Sequence, residues 1–207
     1  MPEVRVPADR MVHWVENFER RHGATALEVA DGALLGRAED GSAFVAELPF
    51  ARAYDGPPDP GRLVHAAALP PDWGILLVRK GGFAVARLHG AEVVAQKVGR
   101  RHVQGRSKAG GWSQQRFARR RGEQARQAFE AAADHAARLL DGLGRVGGPL
   151  VTGGDHAAVE EVLDRPGLRE LMVVGPWLAV PDPRSATLEQ ARADASAVAV
   201  AVTNADA

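Results

Sequence analysis

The chain has 207 residues, 45% of them hydrophobic and 25% charged, enough apolar material for one domain whose core needs no covalent staple. It contains no cysteine, which excludes disulfides, thiolate zinc sites and cysteine nucleophiles together. The formal net charge is zero, but residues 97–126 hold ten Lys or Arg against one acid, Glu123, for +9, while the other 177 residues hold 16 bases and 25 acids, for −9. A balanced total therefore does not exclude a nucleic-acid partner; it suggests one that is met at a single place.

The first predicted element is a helix from Arg10 to about His22, capped by Asp9, with Met11, Trp14, Val15 and Phe18 on one face and Gly23 as its stop. Three short strands follow, Thr25–Ala30, Ala33–Ala38 and Ser42–Leu48, separated by the turn signals Asp31-Gly32 and Asp40-Gly41, so this part reads as an antiparallel meander. Between Pro49 and Pro71 lie six of the thirteen prolines, which predicts a surface loop with at most one short helix around Leu63 and Val64. Trp73–Arg79 and Phe83–Leu88 form a predicted hairpin about Lys80-Gly81-Gly82, and Glu92–Val98 is a third strand that runs into the basic segment.

The longest predicted helix spans about Ser113 to Leu143, with Ala128, Ala132, Ala136 and Leu140 on its apolar stripe. A strand at Pro149–Thr152, a Gly153-Gly154-Asp155 turn and a helix from His156 to about Leu163 with Asp155 as N-cap come next. A buried strand at Leu171–Val174 and a final alanine-rich helix over roughly Ala186–Val202 close the chain. Alternation of strand and helix in this half implies an α/β or α+β fold whose sheet has parallel members covered by helices. The apolar run nearest to a membrane span, Ser196–Thr203, falls far short of about 18 residues, and the start of the chain lacks the apolar core of a secretory signal; a soluble, cytoplasmic protein is expected.

Little in the sequence outside the basic segment suggests chemistry. The seven histidines show no HExxH or comparable metal spacing, and no G-x-S-x-G elbow is present. Gly153-Gly154-Asp155 lacks the Lys-Ser/Thr of a phosphate-binding loop and reads as a strand–helix turn; Asp155 beside His156 reads as a helix cap next to a surface histidine. No metal and no cofactor are expected.

The basic segment has a definite anatomy. Lys97, Arg100 and Arg101 end a strand; Arg106 and Lys108 lie in a loop with Gly105, Gly110 and Gly111; Trp112 follows; and Gln114 and Gln115 open a helix that carries Arg116, Arg119, Arg120 and Arg121. Cations at the positive end of a helix dipole are disfavoured unless an anion offsets them, and phosphates, which free backbone N–H groups at the same end also bind, are the natural candidate. Such a segment can simply grip RNA. Paired glycines, however, allow close backbone approach to a substrate, and a neutral amide ringed by positive charge suits positioning a water among phosphate oxygens. With no nearby carboxylate to act as base, catalysis here would be positional and electrostatic.

Gly110-Gly111-Trp112-Ser113-Gln114, between a basic strand and a long helix, resembles the Gly-Gly-Gln loop in the middle domain of the eukaryotic and archaeal peptide-chain release factor. It is more similar still to the Vms-like release factors, the peptidyl-tRNA hydrolases of ribosome-associated quality control, including their bacterial branch, where the tripeptide is relaxed and the glutamine remains. The resemblance implies one release-factor-like domain over residues 1–207, with an RNase H-like mixed sheet and flanking helices as its core at 72–207 and an N-terminal helix and β-meander at 1–50 as an elaboration. It further implies an enzyme, a monomer with no membrane contact, that enters the large ribosomal subunit and hydrolyses the ester joining a nascent peptide to peptidyl-tRNA. Gln114 would position the water and Gly110 and Gly111 would shape the loop, while Arg100, Arg101, Arg106, Lys108, Trp112, Arg116, Arg119, Arg120 and Arg121 would contact ribosomal RNA and the tRNA acceptor end. Because Trp112 and Ser113 separate the glycines from the glutamines, Gln115 is the rival for the catalytic amide. A nuclease acting near the tRNA 3′ CCA end and a non-catalytic RNA-binding factor are the alternative functions. An anticodon-reading domain is not evident, so stop-codon recognition is not implied.

Overall fold

A computed structural model describes residues 3–100 and 112–205, with side chains described for 3–99 and 126–205. The protein divides into two compact units, Met1–Leu69 with Ala193–Ala207, and Pro70–Arg192.

The first unit is a five-stranded antiparallel sheet with two helices. Its strands are β1 (Glu3–Val6), β2 (Thr25–Ala30), β3 (Ala33–Ala38), β4 (Ala43–Glu47) and β10 (Val198–Thr203), in the order β1-β10-β4-β3-β2. The Asp31-Gly32 hairpin has φ of +51° and +76° at its two turn residues, the doubly left-handed turn that matches strand twist and that Asp-Gly favours. Helix α1 (Met11–His22) and α2 (Pro60–Ala66) supply Met11, Val15, Phe18 and Leu63 to a core shared with Leu34, Phe44, Val198 and Val200. Gly36 sits opposite Phe44, and a Cβ there would come within 2.1 Å of the Phe44 ring, so the absent side chain makes room for that ring. Asp59 caps α2 by accepting from the Arg62 N–H at 2.8 Å.

Three sequence expectations change in this unit. The segment expected to be the end of a helix is β10, which pairs with both β1 and β4. Alanine content suggests helix, but Val198 and Val200 are fully buried and alternate with alanines, which is the period of a strand. The four-residue β1, too short to stand out by pattern, is visible only through its pairing with β10. Asp9 does not cap α1: a 3-10 turn over Ala8–Arg10 precedes the helix, and no side-chain cap bond forms.

The second unit is a mixed sheet ordered β7-β6-β5-β8-β9, built from β5 (Asp72–Arg79), β6 (Gly82–His89), β7 (Glu92–Arg100), β8 (Pro149–Gly154) and β9 (Met172–Leu178). β5, β6 and β7 form an antiparallel meander, and β8 and β9 add parallel to β5 through helical crossovers. This is the sheet with parallel members covered by helices that the strand–helix alternation predicts. Helix α3 (Trp112–Leu139) and α4 (His156–Leu163) pack on it through Ala132, Ala136, Leu140, Val159 and Val162, against Leu76, Val78, Phe83 and Val85. β9 departs from expectation: as a sheet edge it leaves Met172 and Val173 exposed rather than buried. Helix α5 (Ser185–Ser196) leads from there into β10.

Candidate functional site

The basic segment is framed by two regular elements, the end of β7 and the start of α3. β7 pairs antiparallel with β6, with one register shift between Arg87 and Leu88 and an unbroken register beyond it that sets Lys97 opposite Val85, Gly99 opposite Phe83 and Arg100 opposite Gly82. Gly99 has a packing reason: a Cβ would lie 2.2 Å from the Phe83 ring. On the same ring rests His135 of α3, with centroids 5.5 Å apart and planes at 29°. Sheet, ring and helix are thereby locked together where the basic strand leaves the sheet.

Positive charge gathers around this ring pair. Arg138 lies with its Nη2 3.0 Å from the His135 Nδ1. Burial, reinforced by the charges of Arg138 and Lys97 and opposed by Asp134, holds the His135 imidazole below its usual range. Lys97 and Arg138 are both exposed. Sequence reasoning missed His135 and Arg138 as neighbours of the basic strand, since no local spacing links β7 to the far half of α3.

Gly110, Gly111, Arg101, Arg106 and Lys108 lie outside the described residues. Arg100 is the last residue of β7, and Trp112, Gln114, Gln115, Arg116, Arg119, Arg120 and Arg121 belong to the backbone of α3; their side chains lie outside the described set. Trp112 opens α3, so the backbone N–H of Gln114 is among those that start a helix without an intrahelical acceptor. The first turn contains no acidic residue to occupy that end.

The other chemical candidates prove structural. Asp155 accepts from the Ala158 N–H at 3.5 Å as the cap of α4, and its own N–H donates to the Val78 carbonyl at 2.8 Å. His156 stacks flat on Trp177, centroids 3.5 Å apart. Gly153 and Gly154, expected as a turn, are the last residues of β8; a Cβ on Gly154, at φ +105°, would stand 2.2 Å from the Val78 oxygen of β5 and one on Gly153 2.3 Å from the Leu178 oxygen of β9, so the pair serves close packing of β8 between its neighbours. Among the described residues no group of three His, Asp or Glu is placed to hold a metal, and no helix is long and apolar enough to cross a membrane.

No curated sequence matches the chain significantly. Among solved structures it is similar to the archaeal translation termination factor aRF1, at 15% identity and a TM-score of 0.43, over 94% of this chain and 66% of that one. The chain thus corresponds to less than two thirds of that protein's length. A family model described as the Actinobacteria/chloroflexi VLRF1 release factor matches residues 71–201, a stretch that contains the whole basic segment and most of the chain. The protein therefore belongs to the Actinobacteria/chloroflexi VLRF1 release factor family.

Proposed function

We propose that this release-factor family member, a translation factor that works on the ribosome, is a cytoplasmic, monomeric peptidyl-tRNA hydrolase acting on the large subunit. The observation that carries the reading is the family match across residues 71–201, which takes in the Gly110-Gly111…Gln114 segment between the end of β7 and the start of α3. Arg100, Arg101, Arg106, Lys108, Arg116, Arg119, Arg120 and Arg121 bind phosphates of ribosomal RNA and of the tRNA acceptor end, and Trp112 supplies a stacking surface for an unpaired base. Gly110 and Gly111 let the backbone approach the ester closely.

The chemistry is hydrolysis of an ester. Gln114 accepts a hydrogen bond from the attacking water and orients it toward the carbonyl carbon; the water oxygen bonds to that carbon, the bond between it and the ribose 3′ oxygen breaks, and the water's proton passes to the leaving 3′ oxygen, giving the peptide acid and a tRNA with an intact 3′ hydroxyl. Free N–H groups at the start of α3 and the surrounding guanidinium groups stabilise the developing negative charge. No side-chain base is required, because the effect is placement of water in a site that is otherwise dry and cationic.

The test is release of labelled peptide from peptidyl-tRNA bound to isolated large subunits. Gln114→Ala should slow release by about 10²- to 10³-fold, the scale of losing one positioned polar group, while ribosome binding persists. Unchanged release by Gln114→Ala together with loss in Gln115→Ala would transfer the role to the neighbouring amide. Release unaffected by both variants removes the glutamine mechanism, absence of release by the wild type refutes the hydrolase reading and leaves an RNA-binding factor, and a tRNA shortened at its 3′ end by mass spectrometry indicates a nuclease instead.

A further inference from the structure

The first unit contains a groove of about 610 Å³ beside the C-terminal half of α1, with Val4 of β1 and Val202 of β10 among the residues that line it. Three rings of α1 stand along it at successive turns. Trp14 stacks on Phe18 with centroids 5.7 Å apart and planes at 17°, and Phe18 meets His22 at 4.6 Å. Phe44 fixes the row by meeting Trp14 and Phe18 edge-on, at 5.2 and 5.0 Å. Phe18 is itself buried and its ring is tilted by 38° from that of His22, so the parts of the row open to the groove are Trp14 and His22, both half-buried.

The charge lining the groove is unlike that of its surroundings. The unit as a whole holds 13 acidic and seven basic residues, yet no Asp or Glu lines the groove, and Arg20 and Arg21 do. Both arginines are exposed; Arg20 donates to the Asn17 side-chain oxygen, and neither has a carboxylate partner among the described residues. The nearby acids have partners of their own: Asp40 is held at 2.8 Å by His22 at the end of the row, Glu19 accepts from the Thr25 N–H at 3.3 Å, and Glu3 pairs with Arg5 at 2.6 Å. The helix dipole accounts for basic residues in the last turn of α1, but not for a stacked aromatic row and two valines beside them.

An aromatic surface next to unpaired guanidinium groups matches a ligand with a flat ring and an anion, and a nucleotide has both. An acidic peptide would satisfy the arginines and leave the aromatic row unused. We propose that the α1 groove binds a nucleotide, either an unpaired residue of an RNA strand or a free mononucleotide, with its base against the Trp14–Phe18–His22 row and its phosphate on Arg20 and Arg21. The α1 groove belongs to the first unit, and its assignment does not depend on the hydrolase reading.

The experiment uses the full chain and a single-stranded RNA of mixed sequence carrying 4-thiouridine, crosslinked by near-ultraviolet light and mapped by peptide mass spectrometry. Crosslinks are expected within residues 11–22 as well as in the basic segment. The double variant Arg20→Glu/Arg21→Glu, which changes two exposed residues and should keep wild-type circular dichroism, should lower the α1 crosslinks by about tenfold or more and leave those of 97–126 in place. In a parallel amide chemical-shift titration, perturbation of α1 by RNA alone assigns the ligand to a strand, and perturbation by AMP, GMP, CMP or UMP as well assigns it to the free nucleotide. Absence of both crosslinks and shifts at α1, or equal perturbation by poly-glutamate, overturns the proposal, the latter because the groove would then read charge without a base.

Discussion

Asp72 and Gly154 show how single positions hold the second unit together by different means. The Arg87 guanidinium donates to Asp72 at 2.9 Å and to the Asp141 carbonyl at 2.9 Å, tying the start of β5 to the end of the α3 region. That hydrogen bond holds the Asp72 carboxyl below the usual carboxylate range. A carboxyl whose pKa is depressed by folding stabilises the native state above its unfolded pKa near 3.8 and loses that contribution as pH falls through the native value. Asp72→Asn should therefore lower the urea midpoint at pH 7 and flatten its decline between about pH 5 and 3, measured as a series of unfolding curves against wild type. Asp40, whose carboxyl is lowered by the Ser42 N–H and by His22, acts in the same sense in the first unit. Gly154 depends on backbone freedom instead: alanine there must hold a φ of +105° and push against the Val78 oxygen. Gly154→Ala should cost at least about 2 kcal/mol in chemical denaturation, more than strain at a left-handed position alone. A destabilisation below about 0.5 kcal/mol would show that β5 and β8 can separate there without penalty.

Among the elements, α3 joins structure to function, because its far half is core and its first turns carry the proposed RNA-binding arginines. Reversing Arg119 and Arg120 to Glu should weaken ribosome association and make its salt dependence shallower, by roughly 0.7 to 0.9 in log–log slope for each phosphate no longer neutralised. An unaltered slope would mean that those arginines face elsewhere. β10 is the second decisive element. Val200 is fully buried among β1, β4 and the α1 core, so Val200→Ala should destabilise the first unit by about 2 kcal/mol, read from thermal unfolding. Most elements were legible because local physics and tertiary environment agree. The meander from Thr25 to Glu47 alternates between Asp-Gly turns, and α4 carries its cap at Asp155, so their limits coincide closely with the sequence reading. β10 was illegible because alanine favours helix while pairing on both sides favours strand, and the tertiary partners lie more than 150 residues away in the chain. The glycine–glutamine segment announced itself through charge and composition, whereas the His135–Lys97–Arg138 group required the fold to bring β7 and α3 together.

At the scale of the molecule, the positive charge first seen in the sequence is a segment of the second unit, whose other residues hold nine bases and 12 acids. The first unit carries seven bases and 13 acids, net −6, and the second carries the compensating +6. An acidic unit resists indiscriminate adhesion to RNA, so association is expected where the basic segment fits. The two units also differ in how the chain completes them. The second is continuous, from Pro70 to Arg192, and the first is interrupted by it, with β10 returning to the middle of a sheet whose other strands come before Leu48. A chain cut after Ala197 should lose the first unit selectively, leaving a protease-resistant fragment close to residues 70–192; survival of intact β2–β4 protection in hydrogen exchange would contradict this.

That placement of β10 has a consequence for how the protein is made. Synthesis runs from the N-terminus, and domains generally close in that order, but here β1 to β4 must wait for β10, which is made only after the second unit. Until Val198–Thr203 emerge, β1 lacks its sheet partner and β4 has an open edge, the kind of surface that invites pairing with other chains. The first unit is opened before the second and closed after it, so it can be completed only once the whole of the second unit has been synthesised.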